Sequence, residues 1–418
     1  MTIKKSIRSQ IITFGCRLNR YESEVIGQHT EGLKEVVVVN TCAVTSEAER
    51  QAKQAIRRLY RENNNKRIVV TGCAAQLNPQ EWSTLPGVVQ VLGNEDKLLA
   101  DNWTNLAIDS GDRVSDIMSV KKSVTHAVTE FTGRTRAFVQ VQQGCDHRCT
   151  FCVIPFGRGP SRSVPFADIV SQIEILLQKK YQEVVLTGVD IASWGKDFFE
   201  KKTLGNLCKL ILNALPELRR LRLSSMDPIG FDDDLWELLA HEPRFMPHLH
   251  LSVQSGSDMI LKRMKRRHLT KDVDQLVQKL RFFRPDIGLS ADVITGFPTE
   301  NDKLFEETLE FLKAQAFPYL HVFPYSERKG TPASRMPPVP KILRKERAAV
   351  LRELGNKTSE DYHQSLVGRK VHILLESPDC GHSEHHALAR LRNCMATSGE
   401  VISAKVVSAD SNGIWVER

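Results

Sequence analysis

Three times near its start this chain writes the same phrase, an apolar β-branched run, then a cysteine, then a helical stretch, and few folds accommodate it. The runs Ser9–Gly15, Glu35–Asn40 and Arg67–Gly72 read as strands and are followed by Cys16, Cys42 and Cys73; a fourth run, Gly87–Gly93, completes the series. Strands alternating with helices specify βαβ units and an open parallel α/β sheet. Each interval between cysteines is close to the ~30 residues of one βαβ crossover. In such a sheet the carboxyl ends of all strands share one edge, so three thiols distant in sequence are expected to converge there. Ser46 and Glu49 have the separation of a capping box, which starts a helix shortly after Cys42. A helix N-terminus favours a thiolate. Three thiolates on an iron–sulfur cluster or on zinc leave one coordination position open for chemistry.

The compartment decides how such cysteines are used. No stretch approaches the ~18 apolar residues of a membrane-spanning helix. The basic opening, MTIKKSIRSQIITFGC, has too short an apolar run for the core of a signal peptide. A cytoplasmic protein without a membrane partner is expected, in which the nine cysteines are ligands or catalysts rather than disulfides. The net charge of +8 favours a polyanionic partner but says nothing of fold.

A second set of cysteines follows the expected strand Ala137–Gln143. The loop CDHRCTFC places Cys145, Cys149 and Cys152 as a tight tripod. Such a loop can hold three irons of a cubane and leave the fourth without a protein ligand. Structural zinc sites normally take four ligands, and no fourth cysteine lies near. The three-plus-one arrangement resembles the radical-SAM superfamily, in which S-adenosylmethionine (SAM) chelates the free iron; Phe151 fits that pattern and is expected against the adenine.

Further strands are expected at Glu183–Leu186, Leu221–Ser224, His248–Val253, Ile287–Ile294 and Tyr319–Phe323. Amphipathic helices at Phe166–Tyr181, Asp233–His241, Lys271–Phe283 and Asp302–Ala314 separate them. With the strand before Cys145 they make a partial (β/α)6 barrel, whose active site belongs at the carboxyl ends of its strands. Gly188, Gln254, Ser255 and Asp292 stand at those ends and are the candidate SAM-binding residues. Cys208, inside an apolar helix, reads as core.

Taken together, GCRLNRYESE (from Gly15), VVNTCAVTSEAER (from Val38), VTGCAAQ (from Val70), GCDHRCTFCVIPFGRGPSRS (from Gly144) and LHLSVQSGSD (from Leu249) resemble the radical-SAM methylthiotransferase family over nearly the whole chain. The NRYESE segment is most similar to the branch that modifies N6-threonylcarbamoyladenosine beside the tRNA anticodon. The resemblance implies that Cys16, Cys42 and Cys73 hold an auxiliary 4Fe–4S cluster, and that Cys145, Cys149 and Cys152 hold a catalytic 4Fe–4S cluster to which SAM binds. It implies a chemistry in which one SAM methylates a sulfur on the auxiliary cluster and a second is cleaved, by electrons from a reducing donor, to a radical. That radical starts the replacement of the adenine C2 hydrogen by a methylthio group. Family members more often carry Asn where Asp190 stands.

The proline-rich segment 327–342 reads as a linker. From Glu327 to Lys357, nine Lys or Arg less three Glu give a net +6, read either as a solvated helix face or as contact with tRNA phosphates. Short runs at Lys370–Leu375, Ala387–Leu391, Val401–Val407 and Gly413–Val416 suggest a small β-barrel that resembles the RNA-binding TRAM domain. The CGHSEHH stretch, Cys380 to His386, reads as a polar loop rather than a zinc site. The expected organisation is a sheet domain at 1–110 for the auxiliary cluster, a radical-SAM domain at 131–360 and a TRAM-like domain at 366–418, with oligomeric state left open. Two other readings fit the residues. One is the same chemistry on isopentenyladenosine or on a ribosomal protein. The other is a zinc-stabilised RNA-binding protein without catalysis.

Overall fold

In the computed structural model, which describes residues 9–33, 35–104, 111–123, 126–392 and 396–418, the first strands form the expected parallel sheet. The basic start of the chain and residues 105–110 lie outside the described residues. Strands β1 (Gln10–Thr13), β2 (Val36–Thr41), β3 (Arg67–Gly72) and β4 (Val88–Val91) pair in sequence order. Their valines and isoleucines alternate between two buried faces, as in a parallel sheet covered on both sides. Val37, Val39, Ile68 and Val70 pack on Ala52, Ile56 and Leu59 of helix α2 (Ser46–Glu62). On the other face Val36, Val38 and Val69 meet Ile26 of helix α1 (Arg17–His29) and Trp103.

The cap of α2 differs from the expected one. Thr45 is the N-cap, its hydroxyl accepting from Ala48 N at 3.2 Å, and Ser46 is already helical. Glu49 does not reach back to close a box, because Arg328 takes its carboxylate.

Six parallel strands then follow one another round a curved wall. Arg136–Gln140, Glu183–Thr187 and Arg220–Leu223 pair in that order, and after a break at Ser224 the wall resumes through Ser225–Met226 to His248–Gln254, Gly288–Thr295 and Tyr319–Pro324. Helices Phe166–Gln178, Leu204–Ala214, Asp233–His241, Thr270–Phe283 and Asp302–Gln315 alternate with them. One large core joins wall and helices and includes Cys208, fully buried.

A closed five-stranded barrel ends the chain, in the order Lys370–Ser377, Cys380–Ser383, Leu388–Leu391, Gly413–Glu417 and Val401–Asp410. The CGHSEHH stretch is therefore not a loop: its first half is a strand that pairs on both sides. This barrel covers the amino ends of the wall strands. Buried Glu183 binds Arg220 at 2.6 Å and Arg222 at 2.7 Å, and these reach across to His372 O and Glu384 O, each at 3.1 Å.

Nor is 327–342 a free linker. Thr299 N donates to Pro337 O, Ala333 N to Thr150 O, and the helix Lys341–Ser365 begins inside the segment. Some of the nine cations between Glu327 and Lys357 are held within the protein. Arg328 pairs with Glu49, Arg344 donates to Val339 O and Tyr325 O, and Arg347 binds Glu300 at 2.8 Å. A phosphate-binding reading of these three arginines is thereby replaced by a structural one.

Candidate active site

The strand–cysteine repeat brings its three thiols to one edge. Thr13 pairs with Asn40 and Thr41 with Gly72, so Cys16, Cys42 and Cys73 leave the sheet side by side. Gly15 (φ +92°) lies so close that a Cβ added to it would stand 2.6 Å from Cys42 Sγ, and Gly72 (φ +98°) would place one 2.2 Å from Thr41 O. A side chain at Gly15 would displace the Cys42 thiol, and one at Gly72 would displace the backbone just before Cys42. Cys73 opens the short helix α3 (Cys73–Leu77). Burial pushes the Cys42 thiol up to about 12, and the charges of Cys73 and Cys16 add to the rise.

The tripod is fastened by its own backbone. Cys145 N donates to Gly159 O at 3.0 Å, Cys152 N to Cys149 O at 3.1 Å, and Thr150 N to Met264 O at 3.0 Å. Arg266 Nη1 stands 3.5 Å from Cys149 Sγ. Burial raises the Cys145 thiol to about 12 and the Cys152 thiol to about 11. Unliganded, Cys42, Cys145 and Cys152 are held protonated at neutral pH, so their uptake of a metal must release protons.

The two trios are neighbours. Helix Ile154–Arg158, which follows the tripod, packs on α3, and Val153 shares a core with Cys73. The tie is Arg158. Its Nε donates to Cys73 Sγ at 3.1 Å, while Nη1 and Nη2 bind Glu22 at 2.6 and 2.9 Å and Nη2 also donates to Asn19 Oδ1. Lys97 adds a second cation to Glu22 at 2.7 Å. Burial alone would lower the Arg158 pKa, but the charges of Cys73 and Glu22 outweigh it and hold it well above its ordinary value. Burial likewise opposes ionisation of Glu22, yet Arg158 and Lys97 bring its carboxyl down to about 2.

Each donor set offers three free thiols, the number a cubane takes when one corner is left to another ligand. Tetrahedral zinc with bonds near 2.3 Å needs sulfurs about 3.8 Å apart. Among the described residues, Cys145, His147 and Asp190 bring their donor atoms within 4.8 Å of one another. A cubane seats each thiolate on a separate corner and spreads them wider. His147 Nε2 lies 2.9 Å from Asp190 Oδ2, and Asp190 also accepts from Ser193 at 2.6 Å.

A cavity of about 470 Å³ opens beside Cys16 and follows the inner face of the wall down to the C-terminal barrel. Gly188 and Asp292 line it; Asp292 Oδ1 lies 2.9 Å from His250 Nε2. Two other expected SAM-binding residues do not. Ser255 is buried and bonded to Thr308, and Gln254, with φ +71°, stands at the strand end beyond. Phe151 sits edge to face with Phe297, centroids 6.5 Å apart. A larger groove, between residues 129–135 and 397–402, contains no cysteine. Arg158, Glu22, Arg266 and the cavity's arginines escaped sequence reasoning, although Arg158 lies inside the GRGPSRS run after the tripod and Arg17 is the neighbour of Cys16.

The sequence matches the Radical SAM superfamily over residues 139–312 and the family described as uncharacterized protein family UPF0004 over residues 8–93. It is 47% identical to threonylcarbamoyladenosine tRNA methylthiotransferase MtaB of Rickettsia prowazekii, covering 98% of this chain and 97% of that one. To tRNA-2-methylthio-N(6)-dimethylallyladenosine synthase of Roseobacter denitrificans it is 31% identical, covering 97% of each. Among solved structures, the radical SAM methyltransferase TsrM of Kitasatospora setae superposes with a TM-score of 0.55 at 17% identity, over 76% of this chain and 67% of that one, a likeness of fold.

Proposed function

This chain belongs to the threonylcarbamoyladenosine tRNA methylthiotransferases, and from that premise we propose that it adds a methylthio group to C2 of N6-threonylcarbamoyladenosine beside the anticodon of tRNA. The cofactors are two 4Fe–4S clusters and SAM. Bound together, they supply a carbon radical able to act on C2–H, an unactivated position from which no general base of a protein removes hydrogen.

The observation that carries the reading is that the two thiol trios are neighbours in the fold, joined by the packing of helix Ile154–Arg158 on α3 and by the bond from Arg158 to Cys73, with Cys16 opening onto the cavity. Cys16, Cys42 and Cys73 would hold one cluster and Cys145, Cys149 and Cys152 the other, each leaving a corner without a protein ligand. Arg158 donates into Cys73 and Arg266 into Cys149, so each thiolate set has a cation beside it to stabilise its charge. Asp190 lies beside His147 of the tripod. Gly188 and Asp292 face the cavity where SAM would lie. The chain divides functionally into an auxiliary-cluster part at 1–110, a radical-SAM part at 131–360 and a TRAM-like part at 366–418 that contacts tRNA. Among the described residues no helix is long and apolar enough to cross a membrane. We place the enzyme in the cytoplasm, with an external reductant supplying electrons.

The test is mass spectrometry of nucleosides from cells with and without the full chain. The methylthio derivative of threonylcarbamoyladenosine is expected only with it. Methylthiolated isopentenyladenosine in its place, or a modified ribosomal protein, would overturn the substrate; colourless protein after anaerobic reconstitution with iron and sulfide would overturn the chemistry.

A further inference from the structure

The cavity beside Cys16 is lined by five arginines, Arg17, Arg20, Arg134, Arg136 and Arg222, and by one carboxylate, Asp292, whose Oδ1 lies 2.9 Å from His250 Nε2. Arg136 and Arg222 have acceptors of their own, Glu376 at 2.6 Å and Glu183 at 2.7 Å. Arg17 does not. Among the described residues no side chain accepts a hydrogen bond or ion pair from it, and its charge feels Arg136 and Arg222 against it and, more weakly, Asp292 and Glu183 in its favour. A second polar group there also lacks a partner: Ser224 Oγ, buried at the break in the wall, makes no hydrogen bond.

A half-buried cation beside like charges is stabilised when an anion joins it. A guanidinium presents a planar fork that fits a carboxylate through two parallel hydrogen bonds. The arm on the nucleoside of the proposed substrate is a threonine joined through its nitrogen, so it ends in a free carboxylate and carries a hydroxyl. The dimethylallyl arm of the related substrate is hydrocarbon throughout, and would leave Arg17 and Ser224 desolvated without compensation.

Resting on the function proposed above, we propose that this cavity seats the threonylcarbamoyl arm, its carboxylate on the guanidinium of Arg17, and that this contact selects the charged arm over an apolar one. Arg17 is then a specificity-determining residue. Its position next to Cys16 couples correct seating of the arm to delivery of the base at the thiol trio.

The test uses the full-length reconstituted enzyme and three synthetic anticodon stem-loops, bearing threonylcarbamoyladenosine, the same nucleoside with its carboxylate converted to carboxamide, or isopentenyladenosine. Affinity is read by fluorescence anisotropy and kcat/KM by mass spectrometry. Wild type is expected to prefer carboxylate over carboxamide by about 10- to 100-fold, the range for a hydrogen bond to a charged group. Arg17→Gln is expected to lose most of that preference, and Arg17→Lys to keep part of it. Because SAM also carries a carboxylate, its affinity is measured on both variants. Weakened SAM binding with the arm preference intact would overturn the proposal, as would a wild type indifferent to the carboxamide. A wild type that methylthiolates only the isopentenyl stem-loop would overturn the functional reading itself, a result distinct from the other two.

Discussion

Arg158 Nε lies 3.1 Å from Cys73 Sγ, although the two residues are 85 positions apart in sequence. The same guanidinium holds Glu22 of α1, so one side chain fastens the segment after the tripod to the edge where the first three cysteines meet. This buried contact ties the two proposed cluster sites together across the fold.

Replacing Arg158 with Ala leaves Glu22 with Lys97 as its one cation and Gln143 as its other donor, and is expected to cost about 3 kcal/mol of stability, as for other broken buried pairs. Arg158→Lys should recover part of it, since a lysine keeps the charge but not the fork. Urea denaturation of the full chain checks both; an unchanged midpoint for Arg158→Ala would remove the structural role.

Acid should act through the same network. The Glu22 carboxyl is brought down to about 2, below its unfolded value of about 4.3. A depressed carboxyl contributes stability that is fully present above the unfolded value and lost as pH falls through the folded one. Stability is therefore expected to stay level in this respect down to about pH 4.5 and to fall between there and about pH 2. Glu22→Gln should lower stability at neutral pH and flatten the acid limb. The same acid slope in wild type and variant would contradict this.

Gly15→Ala places a methyl group where Cys42 Sγ already stands. The variant is expected to fold, to lose the iron of the auxiliary site after reconstitution, and to keep SAM cleavage. Iron analysis and 5′-deoxyadenosine assay read the two effects separately. Full iron content would mean that Cys42 is not a ligand.

Within the tripod, Cys149→Ala is expected to abolish 5′-deoxyadenosine formation. Cys42→Ala should leave it measurable while stopping transfer of the methylthio group. Equal radical formation by wild type and Cys149→Ala would refute the tripod's assignment.

Much of this architecture was legible because its signals are local. The β-branched run Arg67–Gly72 is a strand with the bounds its residues suggest, and the helix Asp233–His241 likewise matches its apolar periodicity. Where the expectation failed, a distant partner had intervened. Ser46 yields the cap to Thr45 while Glu49 answers to Arg328, 279 positions away. Cys380–Ser383 looks polar, yet it is a strand because its neighbours in the closed barrel supply the hydrogen bonds. The prolines at 337–340 read as a linker until Thr299 and Arg344 bond to that backbone.

From its sequence alone this chain determined three things: strands that end in cysteines, a tripod loop, and a fold class that gathers strand ends at one edge. These depend on spacing and periodicity, which a linear text contains. The tertiary structure decided which charges meet. Arg158 found Cys73 and Glu22, Arg222 found Glu183, and Arg17 was left facing a cavity without an acceptor, because an ion pair is chosen by proximity in the fold and leaves no mark in the order of residues.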